Sequence, residues 1–142
     1  MLFGRRDRHH ILRRILIVED EPLVAFDNEH FLREAGFEIV ATVDGVADAI
    51  RIIQHEAIDL VLADVRLSGG GNGIDVAHAA HEKEMPVLFV TGACPIEARA
   101  LAVGCLAKPY SARDLKAAIE AVEAMLSGQP VKKKPRALTL FG

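Results

Sequence analysis

Leu60-Val61-Leu62-Ala63-Asp64 is a short, unbroken apolar run that ends on an acid. Four consecutive apolar residues without alternation suit a strand covered on both faces, as in a parallel sheet. Three other runs share the form and differ in what they carry at the end. Ile15-Leu16-Ile17-Val18 leads into Glu19-Asp20-Glu21, Val87-Leu88-Phe89-Val90 into Thr91, and Val103 to Ala107 into Lys108-Pro109. Each predicted strand thus delivers a functional group to one edge of a sheet: an acid pair, an acid, a hydroxyl and an amine.

The rest of the chain alternates in the same way. Strands are predicted over 15–19, 38–43, 59–64, 87–91 and 103–107. Between them lie helical stretches: one from Pro22 to Gly36, one over 46–57 with Val46, Ala49, Ile50, Ile53 and Ala57 on one stripe, a poorly patterned one over 73–84, and one over 111–127. Pro22 suits a first helical turn, and Gly36 and Gly128 suit helix ends. Five strand–helix units in so short a chain predict an α/β fold, a doubly wound five-stranded parallel sheet with helices on both faces. Sites in such sheets form at the carboxyl ends of the strands, near the point where strand order reverses. Asp20, Asp64, Thr91 and Lys108 all fall there.

Composition narrows the function classes. The chain has 142 residues, enough for one domain, and is 51% apolar with few aromatics, so the core is mainly Leu, Ile, Val and Ala. No apolar run has the length of a membrane span, and no signal-peptide pattern appears. Cys94 and Cys105 read as two isolated thiols, too few for a disulfide scaffold and wrongly spaced for a zinc knuckle, which suggests a reducing cytoplasm. Charge is uneven. Five arginines against Asp7 give residues 1–14 a charge of +4, and Lys132, Lys133, Lys134 and Arg136 give 128–142 another +4, so 15–127 carries −11 of the net −3. An acidic body between two basic arms is the expected organisation.

Taken singly, each motif has an ordinary reading. Glu19-Asp20 could cap a helix, Asp64 could be a turn residue, and Thr91-Gly92 and Lys108-Pro109 could lie in surface turns. Their joint placement favours phosphoryl chemistry on a carboxylate with a divalent metal. The Gly-rich stretch 69–73 lacks the Lys-Ser/Thr ending of a phosphate-binding loop and is better read as a mobile lid beside Asp64.

From Ile15 to Leu126 the sequence resembles the receiver domains of bacterial two-component response regulators. The motifs are Ile17-Val18-Glu19-Asp20-Glu21-Pro22, Leu62-Ala63-Asp64-Val65, Phe89-Val90-Thr91-Gly92 and Leu106-Ala107-Lys108-Pro109, in that order. The resemblance implies a flavodoxin-like receiver fold with strand order 2-1-3-4-5, a basic N-terminal arm over 1–14, the receiver over 15–127 and a basic flexible tail over 128–142. It also implies roles. Asp64 is the phosphorylation site, and Mg2+ is held by Asp20, Asp64, Glu19 through water, and the backbone carbonyl of Arg66. Thr91 and Lys108 bind the phosphoryl group, and Pro109 follows a cis peptide.

Two departures stand out. Cys105 occupies the place where many receivers carry an aromatic switch residue, which puts the usual coupling to an output face in doubt. Only 17 positions separate Thr91 from Lys108, which shortens the helix between them to about Ile96–Ala102. Both features resemble stand-alone receivers named for a Phe-Ala-Thr-Gly strand-four sequence.

The expected function is that of a single-domain response regulator. It accepts a phosphoryl group from a histidine kinase or histidine phosphotransfer protein and signals to an unknown downstream protein by contact or phosphorelay. On this reading it is cytoplasmic and not an enzyme in its own right, and it has no output DNA-binding domain and no membrane insertion. Two alternatives stay open: an aspartyl-nucleophile phosphatase, whose nucleophile would normally sit on the first strand in an Asp-x-Asp pattern, and a phosphorylation-independent adaptor using the receiver fold as a binding surface.

Overall fold

The computed structural model describes residues 11–67, 69 and 71–141. In chain order the elements are β1 (Arg14–Val18), α1 (Pro22–Glu34), β2 (Glu38–Val43), α2 (Val46–His55), β3 (Leu60–Ala63), α3 (Gly73–Glu82), β4 (Val87–Thr91), a 3-10 helix (Ile96–Leu101), β5 (Gly104–Ala107), α4 (Ala112–Leu126) and β6 (Leu138–Leu140). The sheet order is β2-β1-β3-β4-β5-β6, with the first five strands parallel. Strand order reverses beside β1, so the crevice over the carboxyl ends of β1 and β3 is the natural site.

Alternate residues of each strand feed two cores. Ile15, Ile17, Leu60, Leu62, Leu88, Val90 and Leu106 meet Leu32 of α1 and Leu115, Ile119 and Val122 of α4. Leu16, Val18, Val61, Ala63, Phe89 and Cys105 meet Ala49 and Ile53 of α2, Val76, Ala77 and Ala80 of α3, and Ala98. The apolar runs are therefore continuous because both faces are buried. The weak pattern over 73–84 has the same origin: α3 presents small residues, which let the helix lie close to the sheet. It starts on Asn72, whose side-chain oxygen accepts from Ile74 N–H at 2.7 Å, while Asp75 accepts from the Asn72 N–H at 2.9 Å. That reciprocal cap stabilises the helix start. Between Thr91 and β5, where a helix shortened to about Ile96–Ala102 was expected, the chain forms the six-residue 3-10 helix Ile96–Leu101.

Parts of both terminal segments join the fold. Residues 1–10 of the expected N-terminal arm lie outside the described residues, but 11–14 join the fold. Leu12 is buried, its N–H donates to Glu123 Oε2 at 2.8 Å, and the N–H groups of Arg13 and Arg14 both donate to Asp59 Oδ2 at 2.9 Å. The tail expected to be flexible over 128–142 ends in β6. Residues Leu138–Leu140 pair antiparallel with β5, Leu138 is buried, and Lys134 Nζ donates to the Leu138 carbonyl at 2.8 Å. The sheet thus has six strands where five were expected. The basic run masked a Leu-Thr-Leu alternation that covers the otherwise open edge of β5.

Candidate phosphoryl-accepting site

Sheet register assembles the site. Val18 pairs with Ala63, so Glu19 and Asp64 leave adjacent strands side by side. The Glu19 N–H donates to the Val43 carbonyl at 2.9 Å and the Asp64 N–H to the Val18 carbonyl at 3.0 Å, which extends the ladders past the last apolar residues. Thr91 pairs with Ala107, and the Lys108 N–H donates to the Thr91 carbonyl at 2.8 Å. Lys108 is joined to Pro109 by a cis peptide, as the resemblance implied.

The charged groups converge on Lys108. Its Nζ donates to Asp64 Oδ2 at 2.7 Å and to Glu21 Oε1 at 2.8 Å, and it lies 3.0 Å from Glu19 Oε1. The last contact is an ion pair off the line of a hydrogen bond. Glu19 Oε1 is accordingly a buried side-chain oxygen with no hydrogen-bond partner. The other Glu19 oxygen accepts from the Glu21 N–H at 3.1 Å. Asp64 is only 5% exposed, and its Oδ1 accepts from the Arg66 N–H at 3.1 Å. Burial pushes the Glu19 carboxyl above its usual range, against the opposing pull of Lys108 and of the Glu21 N–H. Burial also pulls the Lys108 ammonium down, but its contacts with the carboxylates of Asp64, Glu21 and Glu19 outweigh that and hold it well above the ordinary lysine value. Lys108 is therefore charged throughout the neutral range.

Asp20, Glu21, Asp64, Arg66, Thr91, Gly92, Ala93 and Lys108 line an open cavity of about 550 Å³. Glu19, Asp20 and Asp64 each offer a carboxylate oxygen, all within 4.8 Å of one another. Oxygen donors gathered so closely, with Glu19 Oε1 buried and lacking a hydrogen bond, fit a hard divalent cation.

Gly73 packs against the backbone of Asp64. Its N–H donates to the Val65 carbonyl at 2.8 Å, and a Cβ there would collide with the Asp64 carbonyl and come within 2.8 Å of Val65 Cα. The Gly-rich stretch read as a lid therefore includes a residue that must be small for α3 to start against Asp64. Of its other residues, 70 lies outside the described residues.

With this geometry in view, residues 15–120 match the family model described as the response regulator receiver domain. The chain belongs to the response regulator receiver domain family. Curated relatives include the transcriptional regulatory protein PdtaR of Mycobacterium tuberculosis, 36% identical over 76% of this chain and 55% of the relative. The phyllosphere-induced regulator PhyR of Methylorubrum extorquens is 32% identical over 62% of this chain and 34% of the relative. The chain thus spans about half or less of the length of these curated relatives. Among solved structures, a receiver protein from Sinorhizobium medicae superposes with a TM-score of 0.68 at 30% identity, covering 79% of this chain and 94% of the other. These similarities assign the receiver to two-component signalling and to the flavodoxin-like receiver fold, with β6 as an addition.

Of the residues singled out in the sequence, Glu19, Asp20, Asp64 and Lys108 come together, and Thr91 and Arg66 line the same cavity. Cys105 does not face it. It is buried in β5 and forms a disulfide with Cys94, with Cα atoms 6.0 Å apart, which corrects the reading of two free thiols. The pairing depends on how the chain doubles back after Thr91, and spacing alone does not encode that path. Sequence reasoning also passed over Glu21 as a partner of Lys108, and Tyr110, whose hydroxyl accepts from Asn28 Nδ2 at 3.0 Å. Glu21 lay in the quoted acid cluster, so its signal was present. Nothing in the sequence pointed to the Asn28–Tyr110 pair. Among the described residues, no helix is long and apolar enough to cross a membrane.

Proposed function

We propose that this receiver accepts a phosphoryl group on Asp64 from a histidine kinase or a histidine phosphotransfer protein. The observation that carries the reading is Asp64 itself: nearly buried, opening on a cavity, bonded to Lys108 and flanked by Glu19 and Asp20. In the transfer, a carboxylate oxygen of Asp64 forms the new bond to phosphorus as the bond from phosphorus to the donor's imidazole nitrogen breaks, and that nitrogen keeps the electron pair.

The residues divide the work. Lys108 holds the Asp64 carboxylate in place and presents a point charge to a phosphoryl oxygen. Thr91 donates its hydroxyl to another. Asp20, Asp64, the Arg66 carbonyl and, through water, Glu19 would hold Mg2+. When bound, that ion supplies the positive charge that offsets repulsion between a carboxylate and an incoming phosphoryl group. No separate substrate is turned over; the phosphorylated receiver signals in the cytoplasm by binding a downstream protein or passing the group on.

The test is intact mass after incubation with acetyl phosphate and magnesium, with Asp64→Asn alongside. A gain of one phosphoryl group by the parent chain alone is expected. A gain by both chains would remove Asp64 from the role.

A further inference from the structure

The disulfide sits in a position that links it to the phosphoryl-binding residues. Cys94 lies three residues after Thr91, and Cys105 three before Lys108. Thr91 and Ala107 are register partners, and the Lys108 N–H bonds the Thr91 carbonyl. The disulfide and these ladder bonds therefore pin the stretch Gly92-Ala93-Cys94 to β5 at both ends, and Gly92 and Ala93 line the acidic cavity. Beyond Cys94 the chain is held by buried Pro95 and by the 3-10 helix Ile96–Leu101, in which Ala98 is buried and Leu101 packs against the core. Short 3-10 segments are weakly self-supporting.

The two sulfurs differ in access. Cys105 is fully buried, whereas Cys94 is exposed and borders a second cavity of about 220 Å³, lined also by Pro95, Ile96, Arg99, Thr139 and Phe141. Arg99, which lines the same cavity, lies over the Phe141 ring at 5.5 Å. An attacking thiolate can reach Cys94, and a reduced Cys105 is accommodated as a small apolar side chain.

We propose that Cys94–Cys105 is a reversible redox site whose oxidation state sets the mobility of residues 92–101 beside the phosphoryl-binding groups. The reductant is a dithiol. One of its thiolates attacks Cys94 Sγ, the Cys94–Cys105 bond breaks, and Cys105 leaves and takes up a proton. The second thiol of the reductant then displaces Cys94 from the mixed disulfide. Two electrons and two protons pass to the receiver, and the reductant becomes a disulfide; reoxidation by a disulfide of the same class runs the exchange backwards. The influence on phosphoryl binding rests on the function proposed above, whereas the exchange chemistry and the mobility do not.

The experiment uses the full chain with and without dithiothreitol under native conditions, read by N-ethylmaleimide alkylation and intact mass, by hydrogen exchange, and by titration with beryllofluoride and magnesium. The expected result is no alkylation before reduction and two alkylations after it, with exchange over 92–101 accelerated and the rest of the sheet unchanged. The beryllofluoride Kd is expected to shift by at least about fivefold, the lower end of usual coupling between sites. The Cys94→Ser/Cys105→Ser double variant should show reduced-type exchange and no response to dithiothreitol. A bond that resists native reduction, or reduction with unchanged exchange over 92–101, would overturn the proposal. Beryllofluoride binding to neither form would count against the phosphoacceptor reading, while alkylation and exchange would still decide the redox site.

Discussion

Lys108 Nζ and Asp64 Oδ2 lie 2.7 Å apart, with the Lys108 side chain 20% exposed and that of Asp64 8%. The same ammonium also meets Glu19 and Glu21. One cation thus holds three carboxylates in place beside the opening where a phosphoryl group would arrive. Glu19 and Asp64 are buried whereas Glu21 is exposed, so removing the ammonium would leave two buried carboxylates uncompensated.

Lys108→Ala should therefore slow phosphorylation by acetyl phosphate by about 10²-fold or more, the usual range for removing one preorganised donor at a developing charge. Lys108→Arg should recover only part of the rate, because a planar fork replaces a point charge. Initial rates followed by intact mass check both.

Magnesium should stabilise the fold through the carboxylates alone, without any phosphoryl donor. At about 100 times its Kd the gain should be about 2.7 kcal/mol, because the ion binds only the folded state. Urea unfolding with and without magnesium measures it. Asp20→Asn should abolish most of the gain, and an equal gain in that variant would place the ion elsewhere.

Gly73→Ala should destabilise the receiver, although alanine is ordinarily the better helix former. The added methyl meets the Asp64 carbonyl and Val65 Cα, and overpacking of that kind costs about 1–3 kcal/mol. Urea unfolding gives the value, and a neutral or stabilising outcome would mean α3 does not press on Asp64.

Leu138→Ala tests the last strand. Leu138 is 1% exposed within the core on the α1 and α4 side, so its truncation should cost about 2–5 kcal/mol. A free tail would lose nothing. Gly104→Ala should loosen the same strand by another route, since a Cβ at Gly104 would lie 2.7 Å from the Thr139 carbonyl oxygen.

Tyr110 gives a pH signature. Burial raises its phenol pKa, against the opposing effect of the Asn28 amide. Below pH of about 10 both the folded and unfolded chains keep the proton, so this group leaves stability unchanged. Above that value the unfolded chain loses it first, and stability falls until the folded phenol titrates. Phenolate absorbance should rise later than in a model peptide, and Tyr110→Phe should remove this part of the alkaline loss.

The parallel sheet was legible because each strand is buried on both faces and so reads as an unbroken apolar run. The candidate site was legible because Glu19, Asp64, Thr91 and Lys108 each fall at the end of such a run. What escaped depends on three-dimensional proximity that spacing does not carry. The disulfide needs the chain after Thr91 to turn back toward β5. Leu138–Leu140 is too short a strand to stand out beside a lysine run, and it exists because β5 offers an open edge. Asn72 passed as part of a glycine-rich loop, although its distance from Asp75 is that of a reciprocal helix cap.

The most direct test of the central claim is to trap the acyl phosphate. The receiver would be phosphorylated with acetyl phosphate and magnesium, reduced with borohydride, digested, and mapped by peptide mass. An aspartyl phosphate at Asp64 is reduced to homoserine, so homoserine at position 64 and nowhere else is the expected result. Homoserine at another carboxylate, such as Asp20, would contradict the account.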